Sequence, residues 1–335
     1  MEKEDLDIEG IASYFIDKKV LITGAAGSIG SELAERIANL NPKKLVLIDN
    51  NESSLHELDL DLKDKANLYS IIADIKDTEK IKKIFSEEKP EIVYHAAAYK
   101  HIPLMELFPE EAVKNNIKGT LNILHSCLEN NAERFVLISS DKAVNPSNIM
   151  GATKRICELL VKILGKKGYI SVRFGNVKKS RGSVIPIFEK QINENKDITV
   201  THPEMERYFM ETKEACNLIL ESTLLAEDGE IFVLDMGKPI KIIDIAKEMI
   251  NASGKDLEIK FIGPRPGEKI KEQLFLEGEE KTKHKKIFVA KNHESLDKEK
   301  IIKDIDELFV LADKLKRQAI KEKIKEILPN FQGIL

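Results

Sequence analysis

Short apolar runs that alternate with amphipathic stretches dominate the first half of the chain. Runs such as KVLIT, LVLID, EIVYH and RFVLI are each followed by a stretch whose apolar residues have helical spacing. Continuous apolar strands are typical of a parallel sheet covered by helices on both faces. Short connections between strand and helix imply right-handed crossovers. The pattern therefore predicts an α/β fold with a doubly wound parallel sheet of the Rossmann type.

The second half keeps strand-like and helix-like stretches but loses their regular order. After Asn176, EIFVLDMG is a strand candidate, and KEACNLILESTLLA and IIDIAKEMINASG have the apolar spacing of helices. We therefore predict a Rossmann lobe over residues 1–176, to which strands and helices of the second half return. Residues 177–335 are predicted to form mainly a smaller C-terminal α/β substrate lobe, followed by lysine- and glutamate-rich surface helices.

Charge and apolar content exclude several classes of protein. The 335 residues carry 53 Lys and Arg against 57 Asp and Glu, and this net charge of −4 argues against a nucleic-acid partner. No apolar run approaches the roughly 18–20 residues that span a bilayer, and the acidic N-terminus is unlike a secretion signal. Cys127, Cys157 and Cys216 are far apart and are expected to be buried thiols. We predict a cytoplasmic protein without a membrane segment.

The motif TGAAGSIG lies between the first strand and the helix that follows it. Gly24, Gly27 and Gly30 permit a tight turn and leave room for a pyrophosphate to approach the backbone. The helix offers free N–H groups and the positive end of its dipole to such a group. In this context the motif predicts a nicotinamide dinucleotide site that also includes Ser28 and Ile29.

Residues at the next strand ends point to the same cofactor. Asp49 ends the second strand, where an acidic side chain binds the hydroxyls of the adenosine ribose. Asn50 and the residues after it offer no cation for a 2′-phosphate, so NAD is favoured and NADP is the alternative. Further cofactor contacts are expected after the third and fourth strands, at Asp74, Ile75, Ala96, Ala97 and Ala98.

A group of polar and ionisable side chains follows the fifth strand, in SSDKAVNPSNIMGATKR. Ser140, Asp141 and Lys142 come first, and Met150 and Lys154 open the next helix. Doubly wound sheets bind their ligands at this carboxyl edge. Taken alone, an adjacent Asp and Lys would be interpreted as a solvated surface pair.

The motifs taken together resemble those of one enzyme family. They include HAAAYKHIPLME, NNIKGTLN, RFGNV, SRGSVIPIF, VTHPEMERYFM and RPGEK. From Ile11 to Leu276 the chain closely resembles the nucleotide-sugar 4,6-dehydratases of bacterial polysaccharide biosynthesis, of the capsular-polysaccharide type. These enzymes belong to the extended short-chain dehydrogenase/reductase superfamily. Many of them carry a large membrane-spanning region before this part, so the chain is expected to be a stand-alone soluble form.

The resemblance implies an activity and a role for each residue after the fifth strand. Members oxidise C4 of a UDP-N-acetylhexosamine with bound NAD(P)⁺, eliminate water across C5 and C6, and return the hydride to C6. The cofactor is therefore expected to be tightly bound and recycled. Protonated Asp141 would be the acid at the C6 hydroxyl and neutral Lys142 the base at C5. Ser140 would bind the C4 oxygen, and Lys154 the nicotinamide ribose.

Met150 stands where most of the superfamily has a catalytic tyrosine. A methionine cannot remove the C4 hydroxyl proton, so Asp141, a water, or Lys154 through the ribose must do so. Relatives that invert C5 usually have Tyr at this position, and retention of C5 configuration is therefore favoured over inversion.

The resemblance also assigns residues to the UDP-sugar. Near the diphosphate we expect Lys100, Asn176, Arg207 and Arg265. Near the ribose diol we expect Glu268, and in the uridine pocket Arg181 and Ser183. Relatives usually read Leu-Gly where this chain has Lys178-Lys179. Loss of that glycine either alters the loop beside the sugar or leaves two lysines in solvent.

Two other activities stay open. A nucleotide-sugar 4-epimerase would share the oxidation at C4 but would need no Asp–Lys pair. A catalytically silent dinucleotide-binding regulator would account for Met150. His95, His101 and His202 lack metal-ligand spacing, so no metal is expected. The resemblance further suggests a homo-oligomer.

Overall fold

A sheet of nine strands lies at the centre of the computed structural model, which describes residues 7–227, 229–275, 278–290 and 297–333. The strands of the described residues are β1 (Lys19–Thr23), β2 (Lys44–Asp49), β3 (Leu68–Ile72), β4 (Ile92–His95), β5 (Arg134–Ile138), β6 (Tyr169–Arg173), β7 (Asn176–Val177), β8 (Ile198–Val200), β9 (Glu206–Arg207), β10 (Phe209–Met210), β11 (Ile231–Leu234), β12 (Ile240–Lys241), β13 (Ile259–Phe261), β14 (Glu280–Lys281) and β15 (Ile287–Val289).

Helices connect most of these strands. They are α1 (Ile8–Phe15), α2 (Ser28–Ala38), α3 (Glu52–Leu62), α4 (Thr78–Glu88), α5 (Ile102–Leu107), α6 (Pro109–Ala112), α7 (Gly119–Glu129), α8 (Ile149–Leu164), α9 (Val184–Asn193), α10 (Thr212–Leu225), α11 (Ile242–Ser253), α12 (Lys298–Asp313) and α13 (Arg317–Ile327). A π-helical segment over Val113–Lys118 joins α6 to α7, and a 3₁₀ turn covers Asp141–Ala143.

The strand order confirms the predicted doubly wound sheet. Seven parallel strands run in the order β3-β2-β1-β4-β5-β6-β11, and β15 and β14 extend that edge in antiparallel orientation. The chain moves outward from β1 in both directions, so the order reverses between β1 and β4. Ligands of open α/β sheets bind at such a point, beyond the carboxyl ends of the strands.

Alternate side chains of the central strands enter two separate cores. Leu21 and Val93 face a core completed by α4, α7, α8, α12 and α13. Val20 and Ile22 face a core completed by α1, α2, α3 and α10. All three cysteines are free and buried, which confirms the prediction for these thiols. The continuous apolar strands therefore arise because both faces of the sheet are covered.

The second half of the chain also builds small sheets of its own. The pairs β7–β10, β8–β13 and β9–β12 surround a third core that includes Phe188, Ile198, Val200 and Met205. The elements β11, α10 and β15 belong instead to the main sheet and its covering layer.

The predicted C-terminal surface helices are confirmed as α12 and α13. They form a helical hairpin that packs on α6 and the π-helical segment through residues such as Ile305, Leu308, Ile320 and Ile324. None of the helices in the described ranges combines the length and the apolar character needed to cross a bilayer.

Candidate active site

A cleft of about 720 Å³ opens at the carboxyl edge of the main sheet. Its walls come from the segments after β1, β4, β5 and β6 and from the first turns of α2 and α8. The predicted site residues that line it are Gly24, Gly27, Ser28, Ile29, Gly30, Ala96, Ala98, Lys100, Ser140, Lys142, Met150, Lys154, Asn176, Arg181 and Ser183. The predicted site residues outside this lining are Asp49, Asn50, Asp74, Ile75, Ala97, Asp141, Arg207, Arg265 and Glu268.

The glycine loop packs directly against the segment after β4. Gly24 has φ of +65°, and a Cβ at this position would lie 2.5 Å from the backbone nitrogen of Ala97. A Cβ on Gly30 would overlap the carbonyl oxygen of Gly24. Helix α2 then starts with Gly27 as its N-cap, so no side chain occupies the N–H groups of its first turn. These groups form a backbone cradle suited to an anionic group.

Asp49 holds this loop to the end of β2. Its Oδ2 accepts a hydrogen bond from the Ala26 N–H at 3.0 Å, and its Oδ1 accepts one from the Asn51 N–H at 2.9 Å. Each carboxylate oxygen keeps a second acceptor position for a ribose hydroxyl. Asp74 accepts from the Lys76 N–H at 2.8 Å beyond the neighbouring strand.

Asp141 and Lys142 form the centre of the site. Asp141 is 1% exposed, and its Oδ1 accepts hydrogen bonds from Lys142 Nζ at 2.8 Å and Ser140 Oγ at 2.9 Å. Among the described residues its Oδ2 has no hydrogen-bond partner. That oxygen lies 3.3 Å from the Cβ position of Gly175, a residue that lines the cleft. Lys142 Nζ also donates to Asn176 Oδ1 at 3.2 Å, which holds this nitrogen in the cleft.

Helix α8 places Met150 and Lys154 on one face, one turn apart. Lys154 is 6% exposed and donates from Nζ to the carbonyl oxygen of Ile138 at 2.8 Å. Burial lowers the pKa of Lys154, partly opposed by nearby Cys157 and Glu158. Met150 is buried in the cleft wall.

A buried ionic network that the sequence analysis missed connects the end of β5 to α8 and β6. Ser139 Oγ donates to Glu158 Oε1 at 2.6 Å, and Arg173 donates to both carboxylate oxygens of Glu158 at 2.7 and 2.6 Å. Burial alone would raise the pKa of Glu158, but the charges and hydrogen bonds of Arg173 and Arg155 hold it below its ordinary value. The available signal was a glutamate on the apolar face of α8 and an arginine inside a buried strand, because each requires a partner.

His95 lies beneath the alanine run as a neutral imidazole. Its Nδ1 is 2.6 Å from Thr23 Oγ1, and its Nε2 is 2.9 Å from Thr120 Oγ1. Thr120 donates its own hydroxyl proton to the Asn116 carbonyl, so Nε2 of His95 carries the proton that Thr120 accepts. Burial, together with the charge of Lys154, lowers the pKa of His95 to about 3.

The cleft lining also includes the cations Lys100 and Arg181 and the hydroxyl of Ser183. Burial lowers the pKa of Lys100, and the charges of Arg181 and Lys142 lower it further. Ser183 Oγ is buried and has no hydrogen-bond partner within the described part of the chain. An anion with hydroxyl groups would satisfy both features.

Three predicted substrate residues lie away from this lining. Arg207 is 7% exposed, and its guanidinium donates to the carbonyl oxygens of Glu206, Lys269 and Ile270 at 2.7, 2.8 and 3.1 Å. It therefore holds the end of RPGEK and the residue that follows it. The Arg265 N–H donates to Glu268 Oε2 at 3.2 Å within that loop.

Known proteins match most of the chain. The family model described as polysaccharide biosynthesis protein matches residues 20–292. The capsular polysaccharide biosynthesis protein CapD of Staphylococcus aureus is 48% identical over 286 residues, which are 82% of this chain and 48% of CapD. The chain thus spans about half the length of that relative.

Two further matches cover most of both partners. A protein named UDP-glucose 4-epimerase from Rickettsia bellii is 34% identical over 272 residues, 78% of each chain. The X-ray structure of Pen from Bacillus thuringiensis superposes with a TM-score of 0.78 at 34% identity, covering 84% of this chain and 90% of Pen. The chain therefore belongs to the polysaccharide biosynthesis protein family.

Proposed function

We propose that the chain is a nucleotide-sugar 4,6-dehydratase that acts on a UDP-N-acetylglucosamine-type substrate with NAD as cofactor. The adjacent Asp141 and Lys142 carry this proposal, because elimination of water needs an acid and a base at one place. Lys142 lines the cleft, and the unpaired Oδ2 of Asp141 lies beside Gly175 in the cleft wall. A 4-epimerase has no step that uses such a pair.

The glycine cradle fits a dinucleotide. A side chain at Gly24 or Gly30 would overlap the backbone of the segment after β4 or of the loop itself, so these glycines allow the loop to close tightly. The first turn of α2, which has no side-chain cap, offers N–H groups to a pyrophosphate. Asp49 has acceptor positions left for the adenosine ribose. Bound NAD would supply the hydride acceptor for C4 and, once reduced, the hydride donor for C6.

The Asp141–Lys142 pair can complete an elimination and reset itself. A 4-keto group acidifies the C5–H bond, so neutral Lys142 Nζ can take the C5 proton. Protonated Asp141 gives its proton to the departing C6 hydroxyl, and water leaves. Lys142 is then an ammonium group, 2.8 Å from the Asp141 carboxylate. It gives a solvent-exchanged proton to C5 when the hydride reaches C6. Asp141 takes up, by way of solvent, the proton that the C4 hydroxyl released, and the pair is neutral again.

Ser140 and Lys154 serve the first oxidation. Ser140 lines the cleft and can place its hydroxyl on the C4 oxygen. Met150 has no group that accepts a proton. Burial lowers the pKa of Lys154, which favours this amine, through the ribose hydroxyls, as the acceptor of the C4 hydroxyl proton.

Incubation with UDP-N-acetylglucosamine and NAD in deuterated water tests the proposal. A dehydratase forms a 4-keto-6-deoxy sugar, loses one water and gains deuterium at C5, and NMR coupling constants report the expected retention at C5. The Rickettsia relative favours 4-epimerisation as the second candidate. An epimer without deuterium, or unchanged substrate, would overturn the dehydratase proposal.

A further inference from the structure

The loop between β7 and α9 reaches from the substrate lobe to the cofactor cradle. We call residues 178–183 of this loop the strap. Within it, the Arg181 N–H donates to Ser28 Oγ at 3.1 Å, and Arg181 Nη1 donates to Ser54 Oγ at 3.1 Å. Ser28 opens α2 and Ser54 lies in the first turn of α3. One residue of the strap thus bridges the start of α2, which follows β1, and the start of α3, which follows β2.

We propose that Arg181 is a cofactor-retaining residue: the strap closes over the dinucleotide, and its guanidinium binds the phosphate groups that the α2 cradle holds. The inference rests on the proposed function, because it takes the cradle to be a dinucleotide site. It differs from the expectation that Arg181 lines a uridine pocket. Both contacts of Arg181 are with residues that flank the cradle, 153 and 127 positions away in sequence.

Charge supports a phosphate ligand at this place. The N–H groups of the first turn of α2 supply one half of an anion site. The Arg181 backbone contacts Ser28 at that turn, its guanidinium lies at the start of α3, and Arg181 lines the same cleft as Ser28, so it is the nearby cation that a phosphate would bind. The charges of Arg181 and Lys142 also act on Lys100, so three cationic residues converge on one cleft. A dinucleotide pyrophosphate next to Arg181 would relieve this repulsion.

The backbone of the strap contains two left-handed residues, one on each side of Arg181. Lys179 has φ of +58° and Gly182 has φ of +71°. A Cβ at Gly182 would lie 2.6 Å from the His101 ring, so the strap packs closely on the segment after β4. The Lys178 N–H donates to the Met210 carbonyl at 2.9 Å and fixes the start of the strap. Arg181 therefore lies on a short anchored loop, and its contacts with Ser28 and Ser54 must break before the cradle opens.

Retention of the cofactor suits a reaction that is redox-neutral overall. The proposed dehydration returns to C6 the hydride that it takes from C4, so loss of the cofactor between these steps would leave an oxidised sugar without its reductant. A residue that slows dissociation of the cofactor would prevent this loss.

The test uses NADH as the probe, without any sugar. Release of bound NADH is followed by stopped-flow fluorescence for the wild type, Arg181→Ala, Arg181→Lys and Lys178→Ala. Lys178→Ala removes an equal charge from the same strap, but its Nζ pairs with Glu211 at 2.9 Å rather than with the cradle. Thermal unfolding of each variant establishes that it is folded.

We expect Arg181→Ala to release NADH about 10- to 100-fold faster, the effect of one charge-assisted hydrogen bond. Arg181→Lys should fall between this variant and the wild type, and Lys178→Ala should stay within about twofold of the wild type. Release from folded Arg181→Ala at the wild-type rate would overturn the proposal. Because no sugar is present, faster release supports the role of Arg181 even if the chain proves to be an epimerase.

Discussion

Lys142 Nζ lies 2.8 Å from Oδ1 of Asp141, while Oδ2 of the same carboxyl group has no donor among the described residues. The two oxygens of the Asp141 carboxyl group are therefore in different environments. Ser140 and Lys142 both donate to Oδ1, so neither donor uses the lone pairs of Oδ2. This oxygen is buried and lies 3.3 Å from the Cβ position of Gly175, a residue of the cleft wall.

Asp141→Asn should remove the acid while keeping the shape of the side chain. We expect formation of the 4-keto-6-deoxy product to slow by about 10²- to 10⁴-fold, the usual contribution of a general acid. Release of NADH, measured as above, should stay near the wild-type rate, because Asp141 does not belong to the cradle. The matched control is Asp256→Asn, an exposed aspartate between α11 and β13. Full turnover in Asp141→Asn would contradict the acid role.

The sequence predicts those features that depend on local pattern. Strands such as Lys19–Thr23 are continuous apolar runs because both faces of the sheet are buried, and Gly24 marks a turn that only glycine permits. The segment over Val113–Lys118 reads as ordinary helix, because its π-helical widening depends on packing against other helices. Long-range pairs leave no local pattern either. Arg181 meets Ser54 across 127 positions, and no periodicity or spacing encodes such a contact.

Neutral His95 should make the stability of the fold depend on pH. Its pKa is about 3 in the folded chain against an ordinary value of 6.5, so between these values the unfolded chain binds a proton that the folded chain does not. Neutral His95 should therefore make its full contribution to the free energy of unfolding above pH 6.5. This contribution should be lost as the pH drops toward 3. Urea unfolding at a series of pH values measures this slope.

His95→Gln should reduce the slope of the free energy of unfolding against pH by up to the equivalent of one bound proton, because the glutamine side chain does not titrate in this range. His125→Gln serves as the control, because His125 is exposed on α7. Equal slopes for His95→Gln and the wild type would contradict the assignment of His95 as a buried neutral base.

Glu106 should link the C-terminal hairpin to the first turn of α8. Its Oε1 accepts the N–H of Ile149 at 2.7 Å, and its Oε2 lies 3.4 Å from Lys321 Nζ. Glu106→Ala leaves a buried N–H without an acceptor, and we expect it to lower the free energy of unfolding by about 1–3 kcal/mol.

Lys321→Ala removes the ion pair but keeps the hydrogen bond to Ile149, so it should cost less than Glu106→Ala. Urea titration of both variants at pH 7 separates these effects. Equal losses in the two variants would show that the contact with α8 contributes little. A larger loss in Glu106→Ala would establish Glu106 as a support of the helix that carries Met150 and Lys154.

Lys179 should be the strained residue of the strap. Its φ of +58° lies in the left-handed region, which costs an ordinary L-residue roughly 1–2 kcal/mol. Glycine removes this strain but makes the unfolded chain more flexible, so we expect Lys179→Gly to raise the free energy of unfolding by up to about 1 kcal/mol. Lys178→Gly is the matched control: it removes the same charge one residue earlier, where φ is not positive, and should destabilise the fold by about 0.5–1 kcal/mol. If Lys179 is strained in the left-handed conformation, urea unfolding should show changes of opposite sign in the free energy of unfolding for the two variants. A Lys179→Gly variant less stable than the wild type would instead mean that the lysine side chain stabilises this loop.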